Sequence, residues 1–334
     1  MPFTARVSAF FMGLAMRSVQ ATAPAKIILL GEHAVVYNRP AIAVPVNEVM
    51  AQVRLQAAPP GHGCRLIAPD LGLDSNLADL ATADPLATII RLTLSFLGQT
   101  TPPDAVLHLT STIPLGRGLG SGAAVATAIG RALGHFFERP LRPAEISELV
   151  YEVEKLYHGT PSGIDNTVIA FNQPVYFVRG QPIQRLAVAA PLHLVIADTG
   201  LVSPTHQTVG YVREQWQAEP DRFRAYFDEI KRLVDQARHL ISTAAAEPAL
   251  LGQLMDQNQT ILAAMGVSAP QLNQLIQAAR QAGALGAKLS GAGWGGNMVA
   301  LTSAEQANGV GQALRQAGAT GIILTTVASN TRPV

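Results

Sequence analysis

The sequence predicts an α+β fold in two domains, and three observations carry that expectation. The chain has 334 residues, which at roughly 150 residues per domain is about two domains. Apolar residues make up 48% and charged residues 14%, against roughly 25% charged in an average globular chain. Such a composition supports a large core and excludes a disordered chain. Finally, short apolar runs and amphipathic helical segments alternate irregularly, without the strict strand–helix–strand order of a doubly wound sheet.

Charge and cysteine usage exclude several function classes. Lys+Arg 24 against Asp+Glu 23 gives a net charge of +1, so no global field favours nucleic acid or an anionic membrane. Cys64 is the single cysteine, which excludes an intrachain disulfide framework and a thiolate zinc cluster. No apolar run reaches the roughly 18 residues needed to span a bilayer. Arg6 precedes an apolar stretch from Val7 to Met16, as in an export signal, but no small-x-small cleavage site follows cleanly. Residues 1–20 are therefore expected to be an unstructured extension, and the protein to be cytoplasmic.

Along the chain, Ala25 to Leu30 and Ala41 to Val46 read as short buried strands around the polar residues Gly31-Glu32-His33 and Asn38-Arg39-Pro40. Ala51 to Leu55 alternates like a half-exposed strand, Pro59 to Gly72 is loop, Pro85 to Leu97 has helical spacing, and Val106 to Ser111 alternates. A helix opens at Pro143, with Ile146, Leu149, Val150, Val153, Leu156 and Tyr157 on the 3.6-residue period, and Gly159 to Gly163 stops it. From Pro191 the pattern restarts with a strand (Leu192 to Ala197). A long amphipathic helix follows, carrying Phe223, Tyr226, Phe227, Ile230, Leu233, Val234 and Ile241 on one face. Two more helices, a glycine-rich loop (Ser290 to Gly296), a helix and the strand Gly321 to Val327 close the chain. The restart sets the expected domains at 21–185 and 186–334.

Gly116, Gly118, Gly120 and Gly122 stand immediately before a helix that contains Ala123, Ala124, Ala126 and Ala128. Glycines let a backbone approach a ligand closely, and free N–H groups at a helix start favour an anion. A lone G-x-G-x-G is equally a flexible connection or a tight helix contact. The pattern G-x-x-x-x-G-K-[ST] is absent, so the loop is not that of a P-loop NTPase.

Three stretches decide between these readings: Pro24 to Tyr37 (PAKIILLGEHAVVY), Pro114 to Ser121 (PLGRGLGS) and Lys288 to Gly296 (KLSGAGWGG). In order and spacing they resemble the three motifs of the galactokinase–homoserine kinase–mevalonate kinase–phosphomevalonate kinase (GHMP) superfamily. The likeness runs from about Ala23 to Val327. Gly31 to Tyr37, Glu154 to Asn166, Asn258-Gln259 with Gly266-Val267-Ser268, and Thr199 to Thr205 resemble the mevalonate kinase branch. The resemblance implies an N-terminal ribosomal-protein-S5-like α/β domain and a C-terminal ferredoxin-like α+β domain. It also implies ATP-dependent phosphorylation of the C5 hydroxyl of mevalonate with Mg2+, so the partners are small molecules, with a homodimer left open.

The resemblance gives the residues their expected roles. Asp165 is the base and Lys26 stabilises charge between the alcohol oxygen and the γ-phosphate. Pro114, Gly116, Gly118, Leu119, Gly120, Ser121, Gly122 and Ala123 bind the ATP phosphates. Glu154 and Ser121 hold the metal, while Glu32, His33, Tyr157, Thr205, Gly291 and Ala292 line the substrate side. The chemistry is coherent, because phosphoryl transfer needs neutralised phosphates and an alcohol held in line. An aspartate carboxylate, ordinarily of pKa about 3.9, is a weak base that helps only as the alcohol turns acidic in the transition state. A nearby lysine supplies that acidity.

Without the resemblance, Asp165 reads as a turn residue and Lys26 as a strand-edge lysine. Helical geometry does not single out Glu154 either. At about 100° per residue, Glu145, Glu152 and Glu154 sit similarly far from the apolar stripe, as solvated flanks do. Its assignment rests on the eleven-residue step to Asp165.

Four positions depart from the family pattern. Ala25 replaces Gly or Ser, Gly122 replaces the serine generally credited with magnesium contact, Tyr157 replaces Ile or Leu, and Trp294 replaces a glycine. Three other readings compete: a sister kinase acting on phosphomevalonate, homoserine or a sugar; an inactive ligand-binding protein of the same fold; and a dinucleotide-dependent oxidoreductase. The joint presence of Lys26, Glu154 and Asp165 disfavours the second, and the irregular topology the third.

Overall fold

The computed structural model describes residues 17–158, 161–243 and 247–328. Most of the expected extension and part of the stop after the Pro143 helix lie outside the described residues. Strand β1 (Ser18–Leu30) already covers the last residues assigned to the extension. The backbone N–H of Ala57 donates to the Arg17 carbonyl at 2.9 Å, so the segment is recruited by pairing rather than left free.

A 3₁₀ turn (Ala34–Tyr37) leads into β2 (Ala41–Ala57), which joins the two expected strands into one. Pro45 falls between two of this strand's three pairings, the third being with β1. Ala41 to Ala43 pair with one neighbour, and Ala51 to Ala57 with another. There follow β3 (Cys64–Ala68), β4 (Leu73–Asn76), α1 (Pro85–Phe96), β5 (Ala105–Ser111), α2 (Ser121–Phe136) and α3 (Pro143–His158). Next come α4 (Ile164–Phe171), β6 (Val175–Phe177), β7 (Gln184–Arg185), β8 (Leu192–Asp198), α5 (Thr205–Ala218) and α6 (Pro220–Ser242). The last elements are α7 (Pro248–Ala264), α8 (Pro270–Gln281), β9 (Gly286–Ser290), β10 (Asn297–Thr302), α9 (Ala307–Gln316) and β11 (Gly321–Val327).

These elements form two compact units that interleave along the chain, a different partition from 21–185 and 186–334. One unit holds the residues up to Pro24, Val49–Ile113 and Gly122–Pro161; the other holds Ala25–Glu48, Pro114–Ser121 and Ser162 onward. In the first, the strand order is β4-β3-β5-β2, with β3 parallel to β5. Asp84 caps α1 by accepting from the Ala87 N–H at 2.9 Å. Helix α2 is buried along most of its length, and its alanines and glycines make that burial compatible with close packing. Helix α3 corrects one expectation: Leu156, placed on the apolar period, is 49% exposed. Glu154 is 5% exposed, which removes the alternative of a solvated flank.

In the second unit the sheet order is β11-β8-β10-β9, antiparallel throughout. Numbered from β8, that order is 4-1-3-2, the ferredoxin-like arrangement. Helices α7 and α8 pack on β9, and α9 packs on β8 and β11. Helix α7 reaches β9 through glycines: a Cβ on Gly252 would lie 2.1 Å from the Leu285 carbonyl oxygen. This backbone-on-backbone contact sets how far the later residues of α7 reach. Helix α6 buries Phe223, Phe227, Ile230, Leu233, Val234 and Ile241 as its pattern predicts, while Tyr226, placed on the same face, is only half-buried.

Candidate active site

Lys26 lies in the buried half of β1, and its Nζ is 3.0 Å from Asp165 Oδ1. The lysine side chain is 4% exposed and that of Asp165 28%, so one partner is sealed and the other is open to a ligand. Asp165 occupies the first turn of α4, which starts after Gly163 in the left-handed region. Gly120 makes room for the pair. A Cβ there would sit 2.8 Å from Ile169 Cδ1 and 3.1 Å from Lys26 Cγ.

The glycine loop is tied down by its carbonyls. Gly116 O accepts from Ser203 N at 3.1 Å, Leu119 O from Lys26 N at 3.0 Å, and Arg117 O from Asn297 Nδ2 at 2.6 Å. In a trans peptide the C=O and the following N–H point in opposite directions. The N–H groups of Arg117, Gly118 and Gly120 are therefore turned away from these anchors. None of the three has a protein acceptor among the described residues. Gly116, Gly118 and Gly120 all have positive φ, which makes the loop a concave set of N–H groups suited to phosphate oxygens.

Glu32 and Lys288 form an ion pair whose side chains are 0% exposed. Lys288 also donates to the Leu289 carbonyl at 2.5 Å. Burial pushes the Glu32 carboxyl up and the Lys288 ammonium down, and their mutual attraction opposes both shifts. Glu32 Oε2 has no hydrogen-bond partner among the described residues. Beside it, His33 Nε2 lies 2.8 Å from the Ala292 carbonyl. Burial lowers the His33 pKa to about 4, against the pull of that bond and with Lys288 adding to the fall. A neutral imidazole facing a carbonyl must donate through Nε2–H, leaving Nδ1 as the acceptor.

Further contacts bring the first and third motifs together. Ser290 Oγ accepts from Ile28 N at 3.0 Å and donates to Ile28 O at 2.9 Å. From α7, Asn258 Oδ1 accepts from Gly31 N, and Gln259 accepts from Leu289 N while donating to Ser268 Oγ. The Asn-Gln and Gly-Val-Ser segments are thus one hydrogen-bonded unit. Trp294 has φ 56, donates through its indole to the Gly266 carbonyl at 2.8 Å, and lies against Tyr211. The positive φ explains why glycine suits that position. Thr205 begins α5 two residues after Ser203, whose hydroxyl donates to Gly293 O at 2.9 Å.

The structure thus brings Lys26, Asp165, Gly120, Leu119, Glu32, His33 and Ala292 together in one unit; Thr205 and Gly291 lie on segments anchored to the same framework. Gly122 and Ala123, in the first turn of α2, and buried Glu154 belong to the other unit. The side chain of Tyr157 lies outside the described residues. Sequence reasoning gave no role to Lys288, Ser290, Asn297, Ser203 or Asp198. A lysine inside the short run Gly286–Ser290 was the available signal for the first of these.

Family models fit this architecture. The GHMP kinases N terminal domain matches residues 87–173 and the GHMP kinases C terminal model residues 243–320, which defines the class as a GHMP kinase. The mevalonate kinase of Thermococcus sibiricus is 36% identical over 85% of this chain and 89% of its own length. That of Pyrococcus horikoshii is 36% identical over 86% of this chain and 89% of its own. A crystal structure of L. major mevalonate kinase in complex with R-mevalonate superposes with a TM-score of 0.82. It is 28% identical, covering 95% of this chain and 98% of that one. The chain belongs to the mevalonate kinase family of GHMP kinases.

Proposed function

We propose that this chain transfers the γ-phosphoryl group of ATP to the C5 hydroxyl of mevalonate, giving 5-phosphomevalonate and ADP. The observation that carries the reading is the Lys26–Asp165 pair, 3.0 Å apart, beside a loop that offers unpaired N–H groups. Asp165 Oδ1 receives the hydroxyl proton as the oxygen attacks phosphorus. Lys26 Nζ stabilises the charge that gathers on the alcohol oxygen and the γ-phosphate. The loop from Pro114 to Ala123, including Gly116, Gly118, Leu119, Gly120, Ser121 and Gly122, cradles the phosphates.

His33, Tyr157, Thr205, Gly291 and Ala292 serve the substrate side. Glu32 contributes by fixing the turn that presents His33, since its carboxylate is committed to Lys288. Magnesium fits the donors available, because a carboxylate (Glu154) and a hydroxyl (Ser121) are the oxygen ligands it prefers. Among the described residues no group of three or more His, Cys, Asp or Glu side chains forms a metal cluster; we infer that the ion arrives with ATP. When bound, it neutralises phosphate charge. Among the described residues no helix is long and apolar enough to cross a membrane, and we assign the ATP-consuming reaction to the cytoplasm.

The test is ADP release with magnesium and ATP against mevalonate, phosphomevalonate, homoserine and galactose, with a nicotinamide absorbance control. Rapid turnover with mevalonate alone is expected. Preference for another acceptor overturns the substrate while leaving the kinase chemistry.

A further inference from the structure

Arg117 stands in the glycine loop between two glycines of positive φ, and two residues that face each other across the C-terminal sheet grip it. Asp198 and Asn297 are register partners on β8 and β10. Asp198 Oδ2 lies 3.3 Å from Arg117 Nε, while Asn297 Nδ2 donates to the Arg117 carbonyl at 2.6 Å. One partner thus holds the side chain and the other the main chain of the same residue.

Asp198 is itself immobilised. Its Oδ1 accepts from Gly200 N at 2.8 Å, and its carbonyl accepts from Thr320 N at 2.9 Å. The side chains of Arg117 and Asp198 are 20% and 13% exposed, so solvent screens the pair only partly. Arg117 Nη1 is buried without a hydrogen-bond partner, which leaves Asp198 as the charged group that holds this guanidinium among the described residues. Flanking glycines give the loop backbone access to either sign of φ, so nothing local selects the face on which its N–H groups are shown. Tethers from outside the loop have to select it: Ser203 and Lys26 hold its two ends through the Gly116 and Leu119 carbonyls, and the Arg117 contacts hold its middle.

We propose that Arg117 and Asp198 are positioning residues for the nucleotide: their ion pair, with the Asn297 bond, fixes the middle of the loop between the Ser203 and Lys26 anchors, and so holds the Gly118 N–H on the same face as those of Arg117 and Gly120 to meet a polyphosphate. The proposal rests on the kinase reading for the identity of the ligand, but its test does not need the acceptor substrate.

The two ways in which Arg117 can affect an anion predict opposite signs for Asp198→Asn. If Arg117 is simply a cation near the phosphates, removing the negative charge of Asp198 frees it and ADP binds more tightly. If the pair positions the loop, ADP binds more weakly although the net charge has become more favourable. We expect Asp198→Asn to weaken binding of ADP with magnesium, measured by calorimetry, about tenfold, equivalent to about 1.4 kcal/mol.

Arg117→Ala should weaken it similarly, and Arg117→Lys, which keeps a charge for Asp198, by less. The double variant Arg117→Ala with Asp198→Asn leaves no unpaired buried charge and should match the single variants rather than add to them. In turnover assays the KM for ATP should rise while the KM for mevalonate stays at its wild-type value. Unchanged or tighter ADP binding in Asp198→Asn overturns the proposal, as does an additive double variant. Failure of the wild-type chain to phosphorylate mevalonate overturns the functional reading instead, and leaves the ADP titration as the test.

Discussion

Lys26 with Asp165 and Lys288 with Glu32 are the same chemical pair in two solvent environments within one compact unit. In the first, the carboxylate is 28% exposed and the lysine stem passes under Gly120. In the second, both side chains are 0% exposed and a carboxylate oxygen has no partner among the described residues. An ion pair with one accessible partner can exchange protons and charge with a ligand. A fully sealed pair has no such access; what it fixes is the backbone on either side, here the turn at Glu32 and His33 and the strand β9. Solvent access, rather than residue type, separates a pair suited to the proposed reaction from one suited to scaffolding.

Breaking each pair in turn should give crossed effects. Asp165→Asn is expected to lower kcat by at least ~10²-fold, the loss of a positioned base, with little change in denaturation midpoint. The amide oxygen still accepts from Lys26, and the site is open to water. Lys26→Met should lose kcat/KM in the same way, through transition-state charge. Substantial residual turnover in Asp165→Asn would remove it as the base.

Lys288→Met should do the reverse in origin. It strands the buried Glu32 carboxylate, and removing one partner of such a pair costs about 3–5 kcal/mol, read by chemical denaturation. Pairing it with Glu32→Gln should recover part of that loss, because no charge is then left unpaired. If Lys288→Met is as stable as the wild type, the sealed pair has no scaffolding role.

These two pairs also mark what was legible in the chain. The open pair was reached through motif resemblance, since Lys26 in a strand and Asp165 near a turn are locally ordinary. The sealed pair was not reached at all. Its lysine lies in Gly286–Ser290, a five-residue run that is buried throughout. A strand buried on both sides shows no alternation, and a lysine inside it argues against burial until its partner is known. For the same reason β9 and β10 escaped, while α6 and β8, with strong patterns, were placed within a residue or two. Glu154 was undecidable for another reason: helical angle does not say which neighbour covers a flank, and only tertiary packing separated it from the exposed Glu152.

His33 sharpens the comparison through pH. Its pKa is lowered to about 4 by burial, below the roughly 6.5 of an unfolded histidine. Between these values the unfolded chain binds a proton that the folded chain refuses. Stability from this residue is therefore complete above about pH 6.5 and falls as the pH drops toward 4, by at most about 1.4 kcal/mol per pH unit. His33→Asn suits the positive φ and should flatten that part of the stability profile. An unchanged slope between pH 4 and 6.5 would show that His33 does not titrate as its burial requires.

The smallest effect is expected at Gly122, where the chain departs from its family's pattern. Magnesium prefers near-octahedral oxygen coordination and keeps several waters, so a water can replace one hydroxyl. It cannot replace the charge of a carboxylate. Glu154→Ala should therefore impair activity severely and raise the magnesium concentration needed. Gly122 lies in the first turn of α2 and is exposed, so a serine there meets no demand for a left-handed backbone. Gly122→Ser, which restores the family residue, should change activity by less than about tenfold, or ~1.4 kcal/mol. Magnesium titrations at fixed ATP in both variants separate the two contributions. Normal magnesium dependence in Glu154→Ala would mean the carboxylate does not serve the metal, and its burial in α3 would then need a packing explanation alone.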